Sequence, residues 1–355
     1  MAAFDRVGYA VVGLGHFAEH AILPGFRHSR KAKLVAVVSG DARKARRLAR
    51  KFRALDCFDY DQYALCLNHP LVEAVYIATN NGTHADFTVQ AAAAGRHVLC
   101  EKPMANDVET CRRMMEACRA HHVRLMIAYR KHFDPAALDL KMLVESGKLG
   151  RLKIIHSAFS VFLRPAPKIP GWHFVAQQAG GGALVDVGIY CVNTVRWLTG
   201  QEPVEAAAYQ WTADPEIFRE VDENIMFRLS FPEGLVMHGT ASWGAAKASF
   251  LRVTGDKGWA TLEPAYSRNE ERRLYGSSAG RGFEKKYKIM NEVALELDAF
   301  AECVRRNREP EPNGAQGLRD VAIMQAIYQA AREARPVPIP PMPAASTEMR
   351  KGEGD

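Results

Sequence analysis

The chain is 355 residues long, and its 48% apolar and 25% charged residues are the fractions of an ordinary globular protein. This length exceeds what one hydrophobic core usually supports, so we expect two domains. Seven cysteines without a CxxC pair indicate free thiols rather than a disulfide framework. We see neither a cleavable signal sequence nor an apolar run of membrane-spanning length. These features predict a cytoplasmic protein with no membrane partner.

The formal net charge of +7 raises the question of nucleic-acid binding. Basic residues concentrate at 27–33 and 43–53, but the second run has helical spacing that places Ala45, Leu48 and Phe52 on one side. Its arginines then form a solvated face, and no nucleic-acid motif accompanies them. We therefore expect no nucleic-acid partner.

Short apolar strands alternate with amphipathic helices over the first 130 residues. The strands are predicted at 6–13, 33–39, 74–79, 97–102 and 124–129, and the helices at 17–28, 41–52, 84–95 and 107–122. This alternation predicts a parallel, doubly wound α/β sheet with right-handed crossovers.

After residue 150 strand-like runs follow one another with short turns. They lie at 151–163, 203–212, 223–231, 234–243, 248–255 and 258–263. Such a series predicts an α+β domain with one large, mostly antiparallel, open-faced sheet. Two helices are predicted at 291–307 and 317–334, and the proline-rich, then polar, segment 336–355 is expected to be a disordered tail.

A glycine-rich turn, GLGHFA, follows the first strand and opens the first helix. Gly13 permits the tight turn, and Gly15 lets the backbone approach a pyrophosphate that the helix N-terminus then holds. Ala18 replaces the third glycine of the usual motif. In this strand-turn-helix setting, the string predicts dinucleotide binding by Gly13, Gly15, His16, Phe17 and Ala18.

The end of the second strand indicates which dinucleotide binds. NAD enzymes usually carry a carboxylate there, whereas this chain has Ser39, followed by Asp41 and Lys44. A hydroxyl with a cation suits a 2′-phosphate, so we expect NADP, held by Ser39 and Lys44. The alternative is that Asp41 binds the ribose, which would favour NAD.

Two further motifs carry polar groups that a simple core would not need. The strand 97–102 ends on Glu101, Lys102 and Pro103, a charge pair followed by a residue that cannot donate a hydrogen bond. The run GGGALVDVGIYCVN at 180–193 makes a glycine turn before a helix. Its spacing places Asp186, Tyr190 and Asn193 on one helical face, and Tyr190 is a candidate acid/base. A purely structural Asp–Tyr pair is the alternative.

GLGHFA, EKPMA and the GGGAxxDxGIY helix together resemble the Gfo/Idh/MocA family of oxidoreductases, in particular its glucose–fructose oxidoreductase branch. The likeness runs from about residue 7 to residue 335. It implies a Rossmann domain, a second α/β domain with a large open sheet, and hydride transfer on a sugar. We place the first domain at 1–130 and the substrate-binding and oligomerisation domain at 131–335.

The resemblance also implies roles for individual residues. Lys102 is expected beside the nicotinamide, with Glu101 facing the cofactor and with a cis peptide between Lys102 and Pro103. Tyr190 matches the family's proton-transferring residue, and Asp186 matches the carboxylate one turn earlier. The remaining expected cofactor contacts are Thr79, Asn80, His84, Arg130 and Trp172, with Tyr129 next to Arg130.

Two positions depart from the family's patterns. His173 stands where the close branch has arginine. Many relatives have histidine and aspartate where this chain has Tyr190 and Asn193, and this set is poorly suited to a metal, so we expect none.

The sequence therefore predicts an NADP-dependent oxidoreductase acting on a sugar (aldose or pyranose) or related polyol, with Lys102, Asp186 and Tyr190 as catalytic residues. Alternatives are a transhydrogenase that retains NADP between two sugars, and a cofactor-binding regulator without catalysis. The glucose–fructose enzyme retains NADP with an N-terminal arm, and only residues 1–6 precede the first strand here. We therefore expect freely exchanging NADP.

A homodimer or homotetramer is expected through the second sheet. Strand 234–243 places Leu235, Met237, Ala241 and Trp243 on one face, and its other face also carries apolar residues. One layer of helices cannot cover both sides of so long a sheet. The resemblance implies assembly through the uncovered face.

Overall fold

A six-stranded parallel sheet forms the first half of the chain in the computed structural model, which describes residues 6–166, 169 and 171–341. Its strands are β1 (Val7–Val12), β2 (Ala32–Val38), β3 (Asp56–Phe58), β4 (Ala74–Ile77), β5 (His97–Glu101) and β6 (Leu125–Ala128). They lie in the order β3-β2-β1-β4-β5-β6, which is that of a dinucleotide-binding sheet. The predicted doubly wound sheet is confirmed, although the three-residue β3 has no apolar run and was not predicted.

Helices connect these strands and cover the sheet. They are α1 (Leu23–His28), α2 (Ala42–Phe52), α3 (Tyr63–Leu67), α4 (His84–Ala93) and α5 (Val108–Ala120). A π-helical turn, Ala18–Ile22, leads into α1. Helix α2 buries Ala45, Leu48 and Phe52 on one side, as its spacing predicts.

A nine-stranded sheet forms the second half. Its strands are β7 (Leu152–Ser160), β8 (Glu205–Trp211), β9 (Asn224–Ser230), β10 (Val236–Ser242), β11 (Ala248–Gly255), β12 (Gly258–Glu263), β13 (Arg272–Ser278), β14 (Arg281–Tyr287) and β15 (Val337–Pro338). The order is β14-β13-β12-β11-β7-β10-β9-β8-β15, and β7 pairs with β10 in parallel while the other neighbours are antiparallel. The predicted large, mostly antiparallel sheet is confirmed, and its parallel pair joins two strands that are far apart in the sequence rather than connected by a hairpin.

The second half contributes five α-helices among the described residues. They are α6 (Pro135–Glu145), α7 (Ala176–Ala179), α8 (Ile189–Thr199), α9 (Glu292–Arg305) and α10 (Gly314–Glu333). Helix α9 returns to the first sheet, where Val293, Leu297 and Phe300 share a core with Tyr9 and Phe26. Packing therefore crosses the boundary that we place near residue 130, and the two sheets are tied together by this helix.

The two faces of the second sheet differ in exposure. One face carries four buried side chains: Met237 and Ala241 within β10, and Leu235 and Trp243 directly beside its ends. On the opposite face Ile154 and Met226 are exposed, 42% and 50% respectively. The exposed face of the second sheet, which we call the bare face, is therefore the one that carries Ile154 and Met226, opposite Leu235, Met237 and Trp243.

The C-terminal segment is partly ordered, against the prediction of a disordered tail from residue 336. Val337 and Pro338 pair with β8, and Val337 and Ile339 are buried. The apolar side chains at alternate positions explain this, because they fill the sheet edge beside α10. The rest of the predicted tail, 342–355, lies outside the described residues.

Candidate active site

A cavity of about 650 Å³ opens where the first sheet meets the second half of the chain. It lies at the carboxyl ends of β1, β4 and β5, where the strand order changes direction between β1 and β4. Ligands bind at this kind of switch point in open α/β sheets. The expected site residues in its wall are Gly13, Gly15, His16, Phe17, Ala18, Thr79, Asn80, Glu101, Lys102, Arg130, Trp172, Asp186 and Tyr190.

The glycine turn has the shape that a dinucleotide requires. Gly13 has φ +91°, and a Cβ there would lie 2.5 Å from the Ala78 carbonyl oxygen. Gly15 has no atom within 4 Å of the corresponding position, so the backbone is open to a ligand there. A tight first glycine and an open second one fit a pyrophosphate at the start of the helix.

The residues expected to read the adenosine end lie outside this cavity wall. The Ser39 hydroxyl accepts a hydrogen bond from the Asp41 amide at 3.2 Å, and the Lys44 ammonium lies 3.9 Å from a Glu19 carboxylate oxygen. Asp41 caps α2, accepting from the amides of Arg43 and Lys44 at 3.0 and 2.9 Å. Both amides donate to Oδ1, so Asp41 caps the helix through one of its two carboxylate oxygens.

His84 does not line the cavity, unlike the neighbouring Thr79 and Asn80. Its ring is fully buried, with Nδ1 3.0 Å from the Pro103 carbonyl oxygen. Burial lowers the pKa of His84 to about 4, so the ring is neutral at physiological pH. His84 thus supports the loop after β5 from beneath the cavity wall.

Lys102 is directed from the end of β5 toward the helix that bears Asp186. The Lys102–Pro103 peptide is cis, as the resemblance implies. The lysine Nζ donates to the Asp186 carbonyl oxygen at 2.7 Å and to Oδ1 at 3.0 Å. Burial alone would lower the pKa of Lys102, but Asp186 and other nearby anionic groups outweigh it and raise the pKa. The strand thus ends on a cation held charged in the cavity wall.

Asp186 is the centre of a small hydrogen-bonded group. Its Oδ2 accepts from the Trp243 indole nitrogen at 3.2 Å, while Oδ1 accepts from Lys102. Burial would raise the pKa of Asp186, but Lys102 and then His173 lower it by more. A carboxylate ionised in this way can accept a hydrogen bond from a substrate hydroxyl.

Tyr190 presents its hydroxyl to the same cavity. The hydroxyl oxygen accepts from Arg130 Nε at 3.2 Å. The Lys102 ammonium and the Arg130 guanidinium lie 5.1 and 5.0 Å from the ring centroid. Two cations so close stabilise a phenolate oxygen, which is the form of a tyrosine that can accept the proton of an alcohol.

Glu101 faces the cavity with a carboxyl that burial tends to neutralise. Its Oε1 accepts from the Tyr76 hydroxyl at 2.7 Å, and the same hydroxyl lies 3.2 Å from Glu296 Oε2. Burial raises the pKa of Glu101. Arg130, by contrast, is fixed by the Tyr266 carbonyl at 2.6 Å and by an ion pair with Glu292.

Asn193 is separated from the cavity, although its spacing from Tyr190 predicts a shared face. Its Oδ1 lies 2.8 Å from His132 Nε2, and its amide donates to Asp320 at 2.8 Å. Asp186 lies in a π-helical turn, Leu184–Gly188, so the register before α8 differs from that of the α-helix. Asn193 lies a turn deeper and joins a buried polar network.

Sequence reasoning missed several residues in the cavity wall. Trp243 hydrogen-bonds Asp186, Tyr60 lies beside Gly40 at the end of β2, and Arg268 enters from the loop between β12 and β13. Trp243 is the last residue of a predicted strand, and that position was a usable signal. Arg268 belongs to no periodic run or motif, so only the tertiary structure reveals it. Trp172 lines the cavity, and its ring stacks on His173 with centroids 3.9 Å apart.

The described residues contain no group of three or more histidine, cysteine or acidic side chains arranged to hold a metal ion. None of their helices combines the length and the apolar character needed to cross a bilayer.

Comparisons with known proteins agree with this geometry. Residues 7–129 match the model of the oxidoreductase family with an NAD-binding Rossmann fold, and residues 137–261 match the GFO/IDH/MocA C-terminal domain. An NADP-dependent D-xylose 1-dehydrogenase of Haloarcula marismortui is 30% identical over 93% of this chain and 92% of that protein. The mouse trans-1,2-dihydrobenzene-1,2-diol dehydrogenase is 29% identical over 90% and 92% of the two chains.

Among solved structures, the aldose–aldose oxidoreductase of Caulobacter crescentus, complexed with glycerol, is similar over most of its length. It is 35% identical, with a TM-score of 0.88, and the match covers 94% of this chain and 99% of that one. The two family models together span most of the chain, and the glycine turn and Lys102 lie where the cavity forms. The chain therefore belongs to the Gfo/Idh/MocA family of oxidoreductases.

Proposed function

We propose that this protein transfers hydride between NADP and a CH–OH group of a sugar or related polyol. The observation that carries the proposal is the meeting of Lys102, Asp186 and Tyr190 on the cavity that begins at the glycine turn. The named activities of the xylose dehydrogenase and of the aldose–aldose oxidoreductase support a sugar as substrate.

The contacts of Lys102, Asp186 and Tyr190 support a role in the reaction for each of them. NADP, when bound, supplies the hydride acceptor or donor. Tyr190 takes the hydroxyl proton in oxidation and returns it in reduction, with Arg130 and Lys102 stabilising the phenolate. Lys102 also donates to the reacting oxygen, and Asp186 orients a substrate hydroxyl while holding Lys102 in place.

The direct test is a panel of aldoses and polyols with NADP⁺ and with NAD⁺, followed by NAD(P)H absorbance. We expect steady turnover with at least one sugar and a preference for NADP⁺. Retention of nucleotide without turnover of any sugar or polyol, in either direction, would favour the regulator instead.

A transhydrogenase is the second candidate, and the similarity to the aldose–aldose oxidoreductase favours it. Such an enzyme keeps NADP bound while one sugar is oxidised and another reduced. The discriminating measurement is turnover of a sugar pair without added nucleotide after exhaustive desalting. Sustained conversion would support the transhydrogenase, whereas turnover that requires added NADP supports our first proposal.

We infer that the protein forms a homo-oligomer through the bare face of the second sheet. Ile154, Met226 and Tyr209 are exposed there, and Tyr209 stacks on Trp211. Large apolar patches are rarely left in water, so a second copy is expected to cover this one. Light scattering should show a dimer or tetramer that Met226→Glu weakens, and a monomer at micromolar concentration would contradict the inference.

We also place the protein in the cytoplasm. All seven cysteines are free in the structure, and five of them are buried, which suits a reducing compartment. Fractionation of cells carrying the protein tests this placement, and recovery outside the cytoplasm would contradict it.

A further inference from the structure

Arg268 is a partly buried cation in the cavity wall that the proposed reaction does not use. It lies in the loop between β12 and β13, and its guanidinium carbon is 4.7 Å from the centroid of the Phe17 ring. Phe17 follows directly on the glycine turn. The arginine therefore reaches from the second half of the chain across to the dinucleotide-binding half.

The other cations near the reacting centre are matched by carboxylates. Lys102 pairs with Asp186 at 3.0 Å, and Arg130 pairs with Glu292. Glu101 also faces this part of the cavity, but its Oε1 already accepts a hydrogen bond from the Tyr76 hydroxyl. Arg268, by contrast, forms no ion pair with a carboxylate among the residues that the structure describes.

Arg268 makes neither a hydrogen bond nor an ion pair with any residue that the structure describes, and its contact is the ring of Phe17. A guanidinium has five N–H donors in a planar fork, so burying it without acceptors is costly. An anion that binds the fork with two hydrogen bonds removes that cost, and carboxylates and phosphates have the matching geometry.

The neighbours of Arg268 place it at the reacting end of the cavity rather than at the adenosine end. Its strongest electrostatic interactions involve Arg130, Tyr190 and Glu101. The aromatic pair Tyr60 and Phe87, near the end of β2, belongs to the other end. An anion at Arg268 would thus lie close to the groups that transfer the proton.

We propose that Arg268 binds a carboxylate on the sugar substrate, so that the site accepts uronic or aldonic acids in preference to neutral sugars. This inference rests on the proposed function and names the substrate class of the same cavity. Phe17 holds the guanidinium by a cation–π contact, which orients the fork before the substrate arrives.

The test compares glucose with glucuronate, and galactose with galacturonate, in the wild type, Arg268→Lys and Arg268→Met. The control is Arg27→Met, which removes a guanidinium 4.9 Å from the Phe52 ring, outside the cavity wall. We expect a higher kcat/KM for the acids, and a loss of about 10–100-fold for the acids alone in Arg268→Met. Arg268→Lys should retain part of the preference, and Arg27→Met all of it.

Several outcomes would overturn the proposal. A wild type that prefers the neutral sugars, or equal losses for acid and neutral sugars in Arg268→Met, would do so. Weaker NADP binding in Arg268→Met with unchanged sugar preference would assign the arginine to a cofactor phosphate. Calorimetric binding of gluconate to the NADP complex provides a readout without turnover. Weaker gluconate binding in Arg268→Met would support the proposal even if every sugar in the panel failed to react.

Discussion

Tyr190 is the residue whose surroundings argue most strongly for proton transfer. Its hydroxyl accepts from Arg130, and two cations lie within about 5 Å of its ring, so a phenolate formed there is stabilised. Asp186 and Lys102 hold one another charged at the same wall. Three neighbouring side chains thus provide a proton carrier, a cation and a hydrogen-bond acceptor.

Tyr190→Phe is expected to lower kcat by roughly 10²–10⁴, because it removes the group that carries the proton. NADP binding, measured by quenching of protein fluorescence, should remain nearly unchanged. Tyr9→Phe is the matched control, since that buried hydroxyl lies 3.4 Å from the Leu297 carbonyl oxygen, away from the cavity. A Tyr190→Phe enzyme with near wild-type kcat would assign proton transfer to another group.

Lys44→Ala tests the expected recognition of the 2′-phosphate. Loss of a charge-assisted hydrogen bond should weaken NADP binding by about tenfold or more, while NAD binding stays nearly constant. The Lys44 ammonium lies 3.9 Å from a Glu19 carboxylate oxygen, so a bound 2′-phosphate would share the lysine with that carboxylate. Lys51→Ala, in the last turn of the same helix, is the control. Equal losses for both nucleotides would refute the assignment.

At the scale of the element, the turn before the catalytic helix is held by Asp222. Its carboxylate accepts from the Gly182 amide at 2.7 Å and the Leu184 amide at 2.8 Å, and the Tyr328 hydroxyl of α10 also donates to it. The π-helical turn that bears Asp186 starts at Leu184. Asp222 is therefore a positioning residue that sets where the helix begins.

Gly182→Ala is expected to disturb this start, because a Cβ there would lie 2.0 Å from the Asp222 carbonyl oxygen. The backbone must shift, and Asp186 and Tyr190 should move with it. We predict a loss in kcat of at least about tenfold, since misplacement by an ångström can cost about a hundredfold. NADP affinity, set by the first domain, should change little. Gly282→Ala, where the nearest atom is 3.9 Å away, is the control and should behave as wild type. Normal kcat in Gly182→Ala would show that the turn is not critical.

At the scale of the whole molecule, a buried charge cluster ties the two halves together. Glu292, at the start of α9, pairs with Arg130, Lys131 and Arg272, and Asp134 joins Lys131 and Arg272. Helix α9 packs on the first sheet, whereas Arg272 begins β13 of the second. Removing one charge of such a cluster leaves others uncompensated, which is costly inside a protein.

Glu292→Gln is expected to lower the free energy of unfolding at neutral pH by about 3–5 kcal/mol. Burial opposes ionisation of Glu292, but Arg130, Lys131 and Arg272 lower its pKa to about 2. Because the folded-state pKa is below the unfolded value of about 4.3, the contribution is present at neutral pH and is lost as pH falls from about 4 toward 2. Urea unfolding of both proteins at several pH values measures this difference. If the difference between the two proteins did not narrow in acid, the assignment would be contradicted. Glu302→Gln, at a half-buried surface pair with Lys31, is the control.

Local patterns in the chain determined the elements and the cofactor turn. Alternating strands and helices predicted the parallel sheet, because each apolar run must bury itself between amphipathic helices. GLGHFA predicted the open backbone at Gly15, which depends on residue type at neighbouring positions only. The order of β7 and β10, by contrast, depends on which strand edges meet after residues distant in sequence have folded.

Only the tertiary structure decided which side chains converge on the cavity. His84 and Asn193 carry suitable groups at suitable spacings, yet packing turns them toward Pro103 and Asp320. Arg268 has no sequence signal, and it reaches the site because the β12–β13 loop folds over Phe17. The physical reason is that spacing along a helix or strand specifies a direction, whereas a site requires directions from several elements to meet, and their relative placement is set by the packing of the whole core.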